Sequence, residues 1–321
     1  MISKKSRVIL FGDGTWATES LLRLHEHSHL IGVVLRVNPS EQTLAAVARD
    51  LSIPIFQPAR VNTPEFVEQV ARLKPDLNVS IAYNQILRWP MLRVAPLGFV
   101  NFHAGKLPRY RGRNVINWAI INGETEIGVT AHFVDEGIDT GDIIRQDTLP
   151  INWTDTYGDV LARVVSYFPE FVIQTVESLV TGDYERRPQS RDAGTYFAGR
   201  EPGDEWLDWS DTSFNLHNKV RAISRPGPGA HTTLGDDPII VWRAFYDPSF
   251  PRYLATPGQV VGRSHEGVVV KTGDSTLLVN EVETATGACV TPRWSIGVRL
   301  GPNPAAQLTA ILSRLCPIGH S

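Results

Sequence analysis

The first half of the chain alternates short apolar runs with amphipathic stretches, and that rhythm leaves few folds open. Val8–Phe11 reads as a buried strand ending in Gly12-Asp-Gly-Thr-Trp-Ala17, after which a helical stretch carries Leu21, Leu22 and Leu24. Ile31–Val37 is a second strand, and Ser40 is placed to cap a helix with the stripe Leu44, Val47, Ala48 and Leu51. Thr63-Pro64-Glu65 starts another helix, with a hydroxyl cap, a proline in the first turn and an acid at the positive dipole end. Its buried face is Phe66, Val67, Val70 and Ala71, and Lys74-Pro75 stops it. Leu77–Ala82, Gly98–Phe102 and Ile127–Val134 are further strands, and a helix over Arg113–Asn122 is closed by Gly123. Strands separated by helices of this length predict an α/β fold, a Rossmann-like, mostly parallel sheet with helices on both faces. In such sheets ligands bind beyond the carboxyl ends of the strands, which is where chemistry is to be sought.

The 321 residues suffice for two domains, each with a core of its own. A long helix is expected over Tyr157–Leu179, and the polar, turn-rich stretch after it marks a boundary. We read residues 1–190 as the first domain, 191–204 as a linker and 205–321 as a smaller, mostly β domain. In the latter, Phe214–Ile223 is one amphipathic helix ended by Arg225-Pro-Gly-Pro-Gly-Ala230. The short runs Ile239–Arg243, Gln259–Val261, Gly267–Lys271 and Thr276–Val279 then suggest a small antiparallel barrel or sheet. Two cysteines, Cys289 and Cys316, are too few for a disulfide framework or a structural zinc site, so a reducing cytoplasm is expected. The basic start is followed only by Val8–Phe11, so neither a signal peptide nor a membrane span is expected. A net charge of −3 excludes global attraction to a polyanion; any such contact must come from a local patch.

Gly12–Ala17 fits G-x-G-x-x-A after a strand, but a dinucleotide site also wants an acid at the end of the second strand. That strand ends Leu35-Arg36-Val37-Asn38, where only Arg36, facing a 2′-phosphate, would serve. We therefore read the motif as a tight turn. Asn101 and His103 are two apart and point to one side of a strand at its carboxyl end. A histidine of near-neutral pKa can take a proton from an attacking amine, and an amide can donate to an oxygen gaining negative charge. A carboxylate partner is available in Asp135-Glu-Gly-Ile-Asp-Thr-Gly-Asp142, which offers four acids in one turn. His132 is read as structural or supporting. No C-x-x-C occurs and no metal is expected.

The run Asn101-Phe-His-Ala-Gly-Lys-Leu-Pro-Arg-Tyr-Arg-Gly112, with Gly128-Val-Thr and Asp135–Asp142, resembles the catalytic core of formyltransferases that use N10-formyltetrahydrofolate. The resemblance continues through Leu207-Asp-Trp209, Leu216-His-Asn218, Arg225–Ala230 and Pro257-Gly258, covering nearly the whole chain. It implies that Asn101, His103 and Asp139 are catalytic, and that the C-terminal domain is an OB-like barrel. It further implies a folate co-substrate against Gln85, Ile86 and Leu87 and against Asp135, Gly137 and Ile138, held largely through backbone.

From His103 to Val115 stand Lys106, Arg109, Arg111 and Arg113 with no acid, a cluster able to hold phosphates by charge-assisted hydrogen bonds. The wording Gly-Lys-Leu-Pro-x-Tyr-Arg-Gly-Arg-Asn resembles the nucleotide-sugar branch of the family, whereas the tRNA branch usually carries Ser-Leu where Gly105-Lys106 stands. This implies an amino-deoxy sugar acceptor on a nucleotide, dTDP being the expected carrier. Lys106, Arg113, Asn114, Tyr196 and Arg200 are then the candidate contacts, with Tyr196 or Trp206 to stack on the base. The alternatives are methionyl-tRNA, which the charge balance disfavours, and a small amine such as hydroxyornithine. A homodimer is allowed.

Overall fold

The structure, a computed structural model, describes residues 5–190 and 192–301. Of the two cysteines, Cys289 is exposed and free, and Cys316 lies outside the described residues. The chain forms two compact units. The first comprises the residues up to Ala119, Thr125–Asn152 and Asp159–Gly199; the second comprises Ile120–Glu124, Trp153–Gly158 and the described residues from Arg200 on.

In the first unit the elements run β1 (Arg7–Gly12), α1 (Gly14–His27), β2 (His29–Leu35), α2 (Thr43–Asp50), β3 (Ile55–Phe56), α3 (Pro64–Arg72), β4 (Leu77–Ile81), α4 (Trp89–Leu92), β5 (Phe99–His103) and β6 (Arg111–Gly112). They continue with α5 (Val115–Ile121), β7 (Glu126–Phe133), β8 (Ile143–Pro150), α6 (Tyr157–Thr181) and β9 (Tyr196–Phe197). Seven strands form one sheet in the order β3-β2-β1-β4-β5-β7-β8. The pairs among β3, β2, β1, β4 and β5 are parallel, whereas β7 and β8 are antiparallel.

Local signals place the helices as expected. Thr63 accepts from the Phe66 N–H at 3.4 Å and Pro64 stands at the first position of α3. Ser40 does not cap α2; its N–H donates to Asp13 instead. The Gly12–Ala17 motif is a tight turn, in which a Cβ on Gly12 would lie 2.7 Å from that of Ala17. Arg36 forms an ion pair of 2.6 Å with the buried Asp13, so the side chain a 2′-phosphate would need is already engaged.

On one face of the sheet Ile9, Phe11 and Phe99 pack with Phe66 and Val70 of α3 and Met91 and Leu92 of α4. Phe11 meets Phe99 at 4.8 Å between ring centroids and Tyr83 edge-on at 5.5 Å. On the other face Phe102 meets Phe171 of α6, and Trp16 of α1 meets Phe168. By alternation Asn101 and His103 share the face of Phe99 and lie beyond its apolar core, at the carboxyl end.

Part of the segment read as a linker belongs to the first unit. Tyr196 and Phe197 pair in parallel with Arg111 and Gly112, and just before this segment the Arg187 backbone exchanges two hydrogen bonds with Ile143. Polar, turn-rich composition reported exposure correctly but could not report this pairing.

The second unit carries α7 (Ser213–Ile223), β10 (Ala230–Leu234), β11 (Asp237–Phe245), β12 (Val260–Ser264), β13 (Gly267–Lys271), β14 (Thr276–Glu283) and β15 (Cys289–Val290). All its strand pairs are antiparallel, in the order β10-β11-β14-β13-β12 with β15 on β14. Arg299 bridges Gln259 and Leu300 bridges Leu234, so the last described residues join the two edges of the sheet. Among the described residues no helix is long and apolar enough to cross a membrane.

Phe11→Ala is expected to destabilise the first unit by about 3–5 kcal/mol, because the phenyl ring is fully buried among aromatic neighbours. Urea denaturation followed by circular dichroism checks this, and a loss below about 1 kcal/mol would remove Phe11 from the core.

Candidate active site

Strand register brings the polar side chains together. Asn101 of β5 pairs with His132 of β7, and His103 pairs with Thr130, which pairs in turn with Gln146 of β8. Thr130 donates to the Gly105 carbonyl at 2.6 Å, and Gln146 donates to the Leu107 carbonyl at 2.8 Å. These two contacts fold the loop after β5 back over the sheet end. There the Tyr110 carbonyl comes within 2.6 Å of His103 Nε2.

That contact decides the histidine's tautomer. A carbonyl only accepts, so Nε2 carries the proton, and the lone pair of a neutral ring lies on Nδ1. Nδ1 faces Asp139 Oδ2 at 3.8 Å, within ion-pair range but too long for a hydrogen bond. The carbonyl of Tyr110, and not Asp139, therefore orients the imidazole.

Of the four acids in the turn after β7, only Asp139 reaches the histidines. Asp135 builds the turn, accepting from the Gly137 N–H and the Thr140 hydroxyl. Glu136 faces Arg88 at 3.9 Å, and Asp142 pairs with Arg186 at 2.8 Å. Asp139 Oδ2 accepts from the Gly112 N–H at 2.9 Å, and Oδ1 accepts from Asn101 Nδ2 at 3.3 Å. His132 Nε2 stands 3.4 Å from the same Oδ1. Burial alone would raise the Asp139 pKa, but the charge of His103, the bond and charge of His132 and the Gly112 N–H outweigh it. The carboxyl is thereby held well below its usual range.

His132 is the member that sequence reasoning undervalued. Its Nδ1 donates to the Phe133 carbonyl at 2.8 Å; in the neutral ring Nε2 accepts from Asn101 Nδ2 at 3.2 Å, and in the charged ring Nε2–H faces Asp139 Oδ1 at 3.4 Å. Both amide hydrogens of Asn101 thus point at Asp139 and His132. Pairing with Asn101 was the missing signal, and it exists only once β7 is known to run antiparallel to β5.

The remaining sequence candidates are spread more widely. Ile86 and Ile138 are exposed, on two loops that Arg88 and Glu136 bridge. The Gln85 side chain is engaged locally, accepting from the Val61 N–H and donating to the Pro58 carbonyl; Leu87 is buried in the core. Lys106 pairs with Glu126. Arg113 and Asn114 are exposed, Asn114 at a φ of 52° before α5. Arg111, counted above in the basic cluster, is buried and bonded to Gln189 and Tyr196, so it is not available to a ligand. Tyr196 is exposed on one side, with the Arg111 guanidinium 5.3 Å from its ring centroid. Arg200 lies in the second unit, 3.6 Å from Glu205. No group of three or more His, Cys, Asp or Glu among the described residues is arranged to hold a metal.

Residues 4–176 match the family model described as "Formyl transferase", and residues 200–295 match "Formyl transferase, C-terminal domain". The chain belongs to the formyltransferase family. A methionyl-tRNA formyltransferase of Symbiobacterium thermophilum is 37% identical over 289 residues, covering 86% of this chain and 87% of that protein. The one from Geobacter sulfurreducens is 31% identical and covers 92% of this chain and 95% of its own. Among solved structures, an N-formyltransferase from Helicobacter canadensis in complex with folinic acid and dTDP-3-aminofucose has a TM-score of 0.67 at 22% identity. The match covers 85% of this chain and 98% of that one. The sugar 3N-formyl transferase WlaRD has the same score at 20% identity, over 89% of this chain and 100% of its own. These two likenesses are likenesses of fold.

A Cβ on Gly105 of this formyltransferase would lie 2.5 Å from both His103 Nε2 and the Tyr110 carbonyl, inside the bond that sets the tautomer. Gly105→Ala is therefore expected to displace the His103 imidazole and to lower formyl-transfer kcat at least tenfold. Wild-type turnover would show that the contact is dispensable. The lowered Asp139 pKa contributes stability above the unfolded carboxyl pKa, near 4, and loses it as pH falls through the folded value. Melting curves of the wild type and Asp139→Asn should accordingly differ most at about pH 6 and converge towards pH 3. A gap that widens in acid would contradict the sign.

Proposed function

We propose that this formyltransferase moves the formyl group of N10-formyltetrahydrofolate onto the amine of a nucleotide-linked amino-deoxy sugar, with Asn101, His103 and Asp139 as the catalytic set. The co-substrate supplies an activated one-carbon carbonyl. The residues present fit it, since Ile86 and Ile138 offer exposed apolar surface on two loops beside the cluster, suited to a flat ring.

With Nε2–H held by the Tyr110 carbonyl, His103 offers Nδ1 to the proton that the acceptor amine must lose as it bonds to carbon. The imidazolium so formed faces the Asp139 carboxylate at 3.8 Å, which is ionised throughout the neutral range, and returns the proton to N10 of the folate as the formyl C–N10 bond breaks and tetrahydrofolate leaves. The Asn101 amide donates to the oxygen that gains charge once one of its hydrogens turns away from Asp139 or His132. His132 and Gly112 keep the carboxylate in place while this happens.

The observation that carries the choice of acceptor is the rim of this cluster. Arg109 and Arg113 are exposed and make no ion pair among the described residues, and Gly112 beside Arg113 touches Asp139. Two arginines there suit a diphosphate whose sugar reaches His103, with Lys106, Asn114 and the open face of Tyr196 as further contacts. A long polyanion is less well served. From residue 200 on, 11 Lys and Arg stand against 12 Asp and Glu. Arg221 and Lys271 are buried, and Arg225 pairs with Glu281. The second reading, methionyl-tRNA, is favoured by the 31–37% identity to proteins bearing that name.

A panel of dTDP-, GDP- and UDP-linked amino sugars beside methionyl-tRNA, with formyl transfer followed by mass, separates the two. We expect transfer to an amino sugar; formylation of the charged tRNA alone would overturn the acceptor and leave the chemistry standing. On the best acceptor, His103→Asn should lower kcat by at least about 100-fold with the fold intact, as expected for loss of a positioned base. Near-normal turnover would remove His103 from that role.

A further inference from the structure

The stretch just before the segment read as a linker reaches into the catalytic cluster through one side chain. The Gln189 amide donates to the Asp139 carbonyl at 3.0 Å and to the Gly141 carbonyl at 2.7 Å. Its oxygen accepts from buried Arg111, at 2.8 Å from Nη2 and 3.2 Å from Nε. Gly112, next to Arg111, in turn donates its N–H to the Asp139 carboxylate. Arg111, Gln189, Asp139 and Gly112 thus close a ring that holds Asp139 by backbone and side chain at once.

Asp139 needs such a hold. It adopts a φ of 51°, in the left-handed region that non-glycine residues keep only where their surroundings over-determine them. Two carbonyls to be capped and one guanidinium to be met require a group that donates twice and accepts on its other end. A terminal amide does both. A carboxylate would meet the guanidinium but set oxygen against the two carbonyls.

We infer that Gln189 is a positioning residue for formyl transfer, acting through Asp139. This rests on the catalytic reading of Asp139 given above. In the loaded enzyme Gln189 touches neither amine nor formyl carbon; it sets where the carboxylate stands relative to His103.

The test compares Gln189→Glu, Gln189→Leu, Asp139→Asn and the double variant Gln189→Glu/Asp139→Asn by steady-state kinetics. The acceptor is the one selected from the panel above, and melting curves are recorded alongside. Gln189→Glu keeps the Arg111 contact and is expected to melt like the wild type, with kcat down about 10- to 100-fold. KM for folate and acceptor should stay within about threefold. In the Asp139→Asn background the Gln189→Glu change should cost nothing more, because its effect passes through the missing carboxylate. If Asp139→Asn turns over normally, the catalytic reading falls and the inference with it. If Asp139→Asn is inactive while both Gln189 variants turn over normally, the inference alone falls. Additive losses in the double variant, or unfolding of both Gln189 variants, would likewise overturn it in favour of a purely structural role.

Discussion

Asp139 carries its negative charge in a nearly buried place, and a buried charge is tolerable only when opposite charges and hydrogen-bond donors surround it. Here the donors come from separate parts of the chain. Asn101 lies at the end of β5 and Gly112 in the loop beyond it, with the rings of His132 on β7 and of His103 close by. The antiparallel turn of β7 against β5, the loop folded back by Thr130 and Gln146, and the segment around Gln189 all serve that convergence.

The same arrangement divides labour between groups that look alike in sequence. Asp135 and Asp142 shape and anchor the turn that presents Asp139. Arg111 braces the site from beneath, while its neighbours Arg109 and Arg113 stay in solvent at the rim. The imidazole is oriented by a backbone carbonyl, which leaves the carboxylate 3.8 Å away and free to answer a change of charge on the ring.

Much of the fold was legible residue by residue. The Thr63-Pro64-Glu65 start and the alternation over residues 127–134 each state a local preference that tertiary packing did not reverse. Where local reading failed, a distant partner had the stronger claim. Ser40 could cap α2, but its N–H serves buried Asp13, which also takes Arg36. Tyr196 and Phe197 sit among turn residues and pair only because Arg111 and Gly112 lie alongside. β8 gave little sequence signal since its outer half is exposed, and it is held by pairing with β7.

The sequence by itself determined the α/β architecture and membership of the formyltransferase family, because strand and helix periodicity and contiguous motifs are local properties. It also singled out Asn101, His103 and Asp139 as a group. Only the tertiary structure decided which ring nitrogen of His103 faces the carboxylate, that His132 joins it, and that Gln189 and buried Arg111 stand behind it. Those facts depend on register, on the direction of β7 and on contacts between residues up to 78 positions apart, which no local pattern encodes.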